Sequence, residues 1–427
     1  MFMEAADGGR PNRLLIAGVR AFLFLYFLRF RLSIDKSAIA GLKPPYILIG
    51  NHASNLDAFL VARALHPGRM NYVTSAFFYR FRALRFLLRK AGAIPKAHSQ
   101  KDLSSLRMMM KSLKERRILM IFPEGRRSLD GTGSRFAEAL AKFVKRSGVP
   151  VIAAHIEGSY LAWPRWARKV RPGPIRIRFS RVFMPEDIKT AGIDQLHEGM
   201  MQALRFNDYE AVAESDARYR ARNPADHLQE LLQVCPDCLA EMVITGEGDR
   251  VVCAACGASA GLLPTGRFQR ISGKVEAWPD VPAWFRLQRA VLAEKMRDPA
   301  FALRMPVCLR RTETSPDSPM RTIGNGEAVL DREGLRFLGD EATGHFTVSF
   351  PIQDLDMLPV SIGKSFELCD GDGVYWQWRP DQPEQVIRIE QYVDICLYGE
   401  QAPSPDVDLD AAVDGSAARR LRGECSS

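Results

Sequence analysis

The sequence predicts an α/β domain in its first half and a β-rich module in its second, with a four-cysteine ribbon between them. Three observations predict this. Up to about residue 200, short apolar runs suited to buried strands alternate with segments of helical periodicity, the pattern of a sheet covered by helices. Cys235-Pro-Asp-Cys238 is followed, after fourteen residues, by Cys253-Ala-Ala-Cys256. From about residue 325 the apolar pattern turns to short β-type runs. A chain of 427 residues has room for two to three such domains. Charge divides the same way. Residues 1–234 hold 39 Lys+Arg against 20 Asp+Glu, and residues 235–427 hold 20 against 30. The basic half suits nucleic acid, anionic lipid or a phosphorylated substrate.

The first element is Leu14–Leu28, LLIAGVRAFLFLYFL, interrupted by Arg20 and flanked by Arg10, Arg13, Arg29 and Arg31. It is shorter than the roughly 20 apolar residues a bilayer crossing needs. It is read as an interfacial, membrane-anchoring helix. A core or single-spanning helix and a signal peptide are its rivals. Ala38-Ile39-Ala40 mimics a cleavage site, but charged residues separate it from the apolar run.

Tyr46-Ile47-Leu48-Ile49 reads as a buried strand and Ala58–Ala62 as the start of a helix. Between them lies Asn51-His52-Ala53-Ser54-Asn55-Leu56-Asp57. An imidazole at such a turn can take a proton from a hydroxyl at neutral pH, and a carboxylate on its other nitrogen would fix its tautomer. His52 and Asp57 can meet only if His52 lies in the turn and Asp57 in the first helical turn, because five residues on a regular helix rotate by roughly 140°. The bland alternative is a capping box, Ser54 as N-cap and Asp57 three positions on.

Over residues 76–91, Phe77, Phe81, Leu84 and Leu88 recur at helical spacing and Arg82, Arg85 and Arg89 share another side. This fits core packing with a solvated basic face, or a second helix touching lipid head groups. Leu103–Arg117 and Phe136–Ser147 read as helices, Val149–Ile156 and Ile175–Phe179 as strands. Ile118–Phe122 is a further buried strand and runs into Pro123-Glu124-Gly125-Arg126-Arg127-Ser128. There Gly125 lets the backbone approach a ligand and the arginines can grip a phosphate. Trp163 and Trp166, among basic residues, suit a membrane interface or exposed loop packing.

The two motifs, in this order, resemble those of the glycerolipid acyltransferase family, typified by 1-acylglycerol-3-phosphate acyltransferases. Asn51-His52 with Asp57 matches its NHxxxxD block, and Phe122-Pro123-Glu124-Gly125 with Arg126 its FPEG block. Gly92–Lys96 and Val149–Ile152 resemble two weaker blocks, with Lys96 where Arg is usual and Ala153 where a second Pro is common. The resemblance covers about residues 40–200. It implies a catalytic dyad of His52 and Asp57, and acceptor-phosphate binding by Glu124, Gly125 and Arg126. It also implies transfer of a fatty acyl group from a thioester to lysophosphatidate or a related lysophospholipid; the basic surface points to acyl-CoA as donor and would suit acyl carrier protein as well. The expected setting is a membrane surface bearing anionic lipid, on its cytoplasmic face. A non-catalytic lipid- or protein-binding adaptor is the alternative.

The spacing of Cys235, Cys238, Cys253 and Cys256 is that of a zinc ribbon, a closed site of four thiolates around a structural Zn²⁺. Eight cysteines in all, half of them scattered, fit a reducing compartment. The ribbon lacks a basic, aromatic-laced surface, so no nucleic acid is expected. Gly257-Ala-Ser259-Ala-Gly261 matches a GxSxG elbow literally but sits on a knuckle and reads as a ribbon turn. Trp284–Arg297 reads as a helix. Ala328–Leu330, Leu335–Phe337 and Phe346–Phe350 read as strands, and Asp370–Gly373 as a hairpin turn. Val386–Tyr398 reads as a closing helix; this pattern loosely resembles PH-like or GRAM-like modules. The expected boundaries are 1–38 for the N-terminal helix, 39–226 for the acyltransferase domain and 227–266 for the ribbon. A helical linker at 267–310, a β-rich module at 311–400 and a disordered tail at 401–427 follow.

Overall fold

The structure, a computed structural model, describes residues 13–65, 70–96, 102–213, 215, 217–273, 279–313, 318–341, 344–355, 358–371 and 373–399. The tail at 401–427, Arg10 and Asp372 lie outside the described residues. The chain forms two compact units: residues to Pro164 with Val170–Tyr219, and Arg165–Lys169 with Arg220 onward.

The first unit opens with α1 (Arg13–Phe27), an edge strand β1 (Arg31–Asp35), β2 (Tyr46–Gly50) and α2 (Asp57–Ala64). Next come β3 (Met70–Ser75), α3 (Arg82–Lys90), β4 (Ile94–Lys96), α4 (Leu103–Lys114) and β5 (Ile118–Ile121). It closes with α5 (Ala139–Ser147), β6 (Val151–Glu157), α6 (Ser159–Ala162), β7 (Pro174–Phe183), α7 (Pro185–Thr190), α8 (Ile193–Leu204) and α9 (Asp208–Ala213). The seven strands form one mixed sheet in the order β1-β7-β6-β2-β5-β3-β4. Only β7 runs against its neighbour β6. β2 and β5 are buried along their whole length, as central parallel strands covered on both faces must be. Ile47, Ile49, Leu119, Ile121, Val151 and Ala153 share a core cluster with Met108 and Leu113 of α4, Phe143 and Val144 of α5, and Leu196 and Met200 of α8.

The register of three central strands positions the site. Ile49 pairs with Ile121 on one side, and Gly50 with Ala154 on the other. The loops that follow β2 and β5 therefore leave the sheet at the same edge, where open α/β sheets place their ligands.

Some expectations change. The helix expected over 76–91 is broken into a 3₁₀ turn, Ala76–Arg80, and α3. β1 had no clear signal, being short and flanked by charge, as edge strands often are. Trp166 is buried at 1 % exposure, so it does not sit at a membrane interface. Among the described residues no helix is long and apolar enough to cross a membrane. α1 buries Leu23 and Phe27 and leaves Phe22 and Leu25 more than half exposed.

The second unit begins with a four-stranded antiparallel ribbon: β8 (Ile244–Glu247), β9 (Arg250–Cys253), β10 (Ser259–Leu262) and β11 (Phe268–Ser272). Ser259 opens β10 instead of lying in a turn, and its hydroxyl meets that of Ser272 at 2.8 Å. Then come α10 (Val281–Lys295), β12 (Leu303–Thr312), β13 (Met320–Leu330), β14 (Gly334–Glu341), β15 (Gly344–Pro351), β16 (Val360–Ser361), β17 (Ser365–Cys369), β18 (Tyr375–Pro380) and α11 (Val386–Tyr398). These seven strands form an antiparallel sheet ordered β15-β14-β13-β12-β18-β17-β16. Its centre is aromatic: Trp378 stacks on Phe366 at 5.7 Å and meets Phe337 edge-on.

The stretch 267–310 is no linker. Val281, Trp284, Leu287 and Val291 of α10 are buried. β12 starts eight residues before the expected module boundary at 311. Pro306 disguised it, since proline demotes a strand reading. Yet Leu303, Met305, Val307 and Leu309 alternate inward, and the Pro306 carbonyl accepts from Asp381 N.

Candidate active site

The turn after β2 is built around three side chains. Gly50 lies against its neighbours so closely that a Cβ there would meet Met120 Cε at 2.9 Å and Phe122 Cε1 at 3.0 Å. Asn51 is fully buried and spans to β6, its amide donating to Ile156 O at 2.8 Å and its oxygen accepting from Ile156 N at 2.7 Å. This fixes the chain direction just before His52. α2 begins at Asp57, so His52 lies in the turn and Asp57 in the first helical turn.

His52 Nδ1 and Asp57 Oδ2 are 2.9 Å apart. The Asp57 side chain is fully buried, whereas that of His52 keeps 21 % exposure. The same Oδ2 accepts from Ser54 N at 2.7 Å, and Ser54 Oγ accepts from Leu56 N. The capping box with Ser54 as N-cap does not form, since Leu56 is the N-cap of α2 and has no side-chain cap bond; only the contact from Ser54 N to Asp57 is made, on the same oxygen that meets His52. Asp57 Oδ1 has no hydrogen-bond partner among the described residues. A carboxylate accepts only, so Nδ1 carries the proton and Nε2 is left as the basic nitrogen.

The loop after β5 closes over this turn. The Phe122 ring stacks on the imidazole, centroids 4.4 Å apart. Ser128 N donates to His52 O at 2.8 Å. Glu124 is 1 % exposed, and its carboxylate accepts from His52 N and from Ser134 N, each at 2.8 Å. Burial pushes this carboxyl up to about 8, against the pull of those two amides; nearby Asp57 raises it further and Arg126 lowers it. Glu124, expected among the phosphate-binding residues, faces inward and braces the two loops together. Gly125, at φ +67°, is exposed, and Arg126 is half-buried beside it. A left-handed turn at this point favours glycine.

A second brace was not legible. Asp208 is fully buried and accepts from Gly158 N at 2.9 Å and Tyr160 N at 2.8 Å, while its own N–H donates to Gly131 O. Burial lifts its carboxyl to about 7. Tyr160 in turn donates to Leu129 O at 2.5 Å, so the stretch after Ser128 is held from behind. No motif in the sequence marks Asp208, Asn51 apart from its place beside His52, or Ser134. Lys96, at the end of β4, is exposed. A groove lined by Arg20, Phe24, Lys36, Arg63 and Leu65 opens at the far end of α2 from the dyad, about 12 Å along that helix.

The site combines an imidazole backed by a buried carboxylate with an exposed glycine turn and an adjoining arginine. That set can deprotonate a hydroxyl and bind an anion. In the second unit, Cys235, Cys238, Cys253 and Cys256 bring their four sulfurs within 4.8 Å of one another, close enough to hold a metal ion.

In comparison with known proteins, residues 31–157, which carry both motif loops, match the Acyltransferase family model. The chain is 23 % identical over 192 residues to a 1-acyl-sn-glycerol-3-phosphate acyltransferase of Cocos nucifera, covering 44 % of this chain and 61 % of that protein. It is 27 % identical over 150 residues to the enzyme of that name from Limnanthes douglasii, covering 35 % and 53 %. The chain thus spans about half to three fifths of the length of these relatives. Among solved structures, the 1-acyl-sn-glycerophosphate (LPA) acyltransferase of Thermotoga maritima aligns with 48 % of this chain and 81 % of its own, at TM-score 0.40 and 19 % identity.

Proposed function

We propose that the first unit moves a fatty acyl group from a thioester, acyl-CoA or acyl carrier protein, to the free hydroxyl of lysophosphatidate or a related lysophospholipid. The observation that carries this reading is the 2.9 Å contact between a partly exposed His52 and a fully buried Asp57. An alcohol is a weak nucleophile at neutral pH and needs a base as it attacks. His52 Nε2 takes the hydroxyl proton while the oxygen bonds to the thioester carbonyl carbon. The C–S bond then breaks, and the imidazolium returns the proton to the departing thiolate. Asp57 stabilises the imidazolium between these events. The acyl group passes directly between substrates, with no acyl-enzyme. Arg126 and the Gly125 turn bind the acceptor's phosphate.

The reading includes a membrane surface bearing anionic lipid, at the cytoplasmic face. It is supported by exposed Phe22 and Leu25 on α1 and by exposed Phe86 and Leu87 on α3 beside Arg82, Arg85, Arg89 and Lys90. The cationic groove of Arg20, Lys36 and Arg63 adds to it. The adaptor reading has no observation of its own in this unit.

The test is acyl transfer from palmitoyl-CoA to lysophosphatidate by the full chain, set against His52→Ala. A rate that survives this substitution unchanged removes His52 as the base. Flotation with anionic and neutral vesicles tests the surface; equal recovery with both would remove the anionic-lipid component.

A further inference from the structure

We infer that Cys235, Cys238, Cys253 and Cys256 bind a single zinc ion as a closed structural site, and that this ion pins the ribbon onto α10 and α11 within the second unit. The inference does not rest on the acyltransferase reading.

The sulfur geometry carries it. Cys235 Sγ lies 3.7 Å from Cys256 Sγ, and Cys238 Sγ lies 3.8 Å from Cys253 Sγ. A tetrahedron with Zn–S bonds of about 2.3 Å has edges of about 3.8 Å. A disulfide needs about 2.05 Å, so neither pair is oxidised, and the close pairs are between knuckles instead of within one. All four sulfurs converge on one point, within 4.8 Å of each other.

The backbone repeats the same turn at both knuckles. Leu239 N donates to Cys235 O and Gly257 N to Cys253 O, each four residues on. Cys235 N donates to Ala240 O and Cys253 N to Ala258 O, each five residues on. Leu239 and Gly257 occupy the same place in the turn, both left-handed, at φ +58° and +75°. Leucine in that region is strained, a cost that some other interaction must offset. Amides of Asp237 and Cys238 point at Cys235 Sγ, and amides of Ala255 and Cys256 point at Cys253 Sγ. Donors aimed at sulfur are the outer shell of a thiolate metal site. Four thiolates fill a tetrahedron, so no position is open for a reactant.

The first knuckle is fastened to the rest of the second unit. Val234 and Leu239 cluster with Leu287 and Val291 of α10. Trp284 Nε1 donates to Val234 O at 2.6 Å, and Gln288 Oε1 accepts from Gln233 N at 2.7 Å. Glu241 is gripped by Lys295 at 2.6 Å and by Arg388 of α11 at 3.3 Å. Cys235 and Cys253 are buried while Cys256 is exposed, so reagents reach the site from the second knuckle. Loss of the ion therefore loosens α10 as well as the ribbon.

The test is metal analysis of the full chain, purified without chelators, with Cys308→Ser as the control cysteine. The expected result is one zinc per chain in the parent and in Cys308→Ser, falling to trace levels in Cys238→Ser and Cys256→Ser. An organomercurial should release that zinc in step with four thiols, with a lowered thermal midpoint. Should the variants fail to fold, Co²⁺ exchanged into the parent must show the absorption of tetrahedral thiolate cobalt. Iron in place of zinc, zinc retained by both knuckle variants, cobalt without thiolate absorption, or a metal-free parent whose midpoint zinc does not raise would each overturn the inference.

Discussion

Replacing Asp57 with asparagine separates the two duties of its carboxylate. One oxygen, Oδ2, accepts both from Ser54 N at 2.7 Å and from His52 Nδ1 at 2.9 Å. An asparagine oxygen in that position still accepts both, so the turn and the imidazole tautomer are kept. The amide NH₂ falls where Oδ1 now lies without a hydrogen-bond partner among the described residues. A serine-protease triad behaves differently: there the same exchange gives the wrong tautomer and costs about 10⁴ in kcat. Here the main loss is the negative charge beside the imidazolium. Hydrogen bonds to charged groups contribute about 1.5–3 kcal/mol, which at about 1.36 kcal/mol per decade is a rate loss of roughly 10- to 150-fold. The burial of Asp57 places the loss toward the upper end, since little water screens the pair. Initial rates of thiol release from palmitoyl-CoA in the presence of lysophosphatidate measure it, with KM for the acceptor expected to hold. A rate equal to the parent's would refute the role of the charged partner. A fall as deep as that of His52→Ala would refute the shared-oxygen argument.

Three further outcomes are expected. Glu124→Ala leaves the amides of His52 and Ser134 buried without their acceptor, at about 1–3 kcal/mol each; thermal unfolding should show the loss and acyl transfer should fall with it. Gly50→Ala displaces the flexible end of Met120 and shifts the Phe122 ring against the imidazole, so acyl transfer should fall while the thermal midpoint changes little, and a crystal structure of the variant should show the ring moved. Asp208 holds its proton more tightly folded than unfolded, its carboxyl being lifted from 3.8 to about 7. The stability it contributes is present below the unfolded value and is lost as pH rises through about 7. The thermal midpoint should therefore fall from about pH 4 to about pH 7 and level off above it, and Asp208→Asn should be less stable but show a shallower slope over that range. An unchanged slope would remove Asp208 as a source of the pH dependence.

By itself the sequence determined the local pieces. Apolar runs such as Ile47–Ile49 and Ile118–Ile121 form strands because their period and length allow little else, and two CxxC knuckles fourteen residues apart converge because their turns are short. It also marked His52, Asp57 and Gly125, whose residue types the proposed chemistry requires. It could not show that Glu124 faces inward. That follows from β2 and β5 being parallel neighbours in register, which brings residues 72 positions apart within 2.8 Å. Nor could it find Asp208, which touches the site's framework through backbone amides that carry no residue identity. The sequence marks α10 as a helix but not its packing, whereas the start of β12 is hidden because Pro306 breaks a local pattern that cross-strand pairing with β13 and β18 overrides. Local periodicity is written in neighbouring residues; which side chains share a buried space depends on strand order, and that is settled only when the sheet assembles.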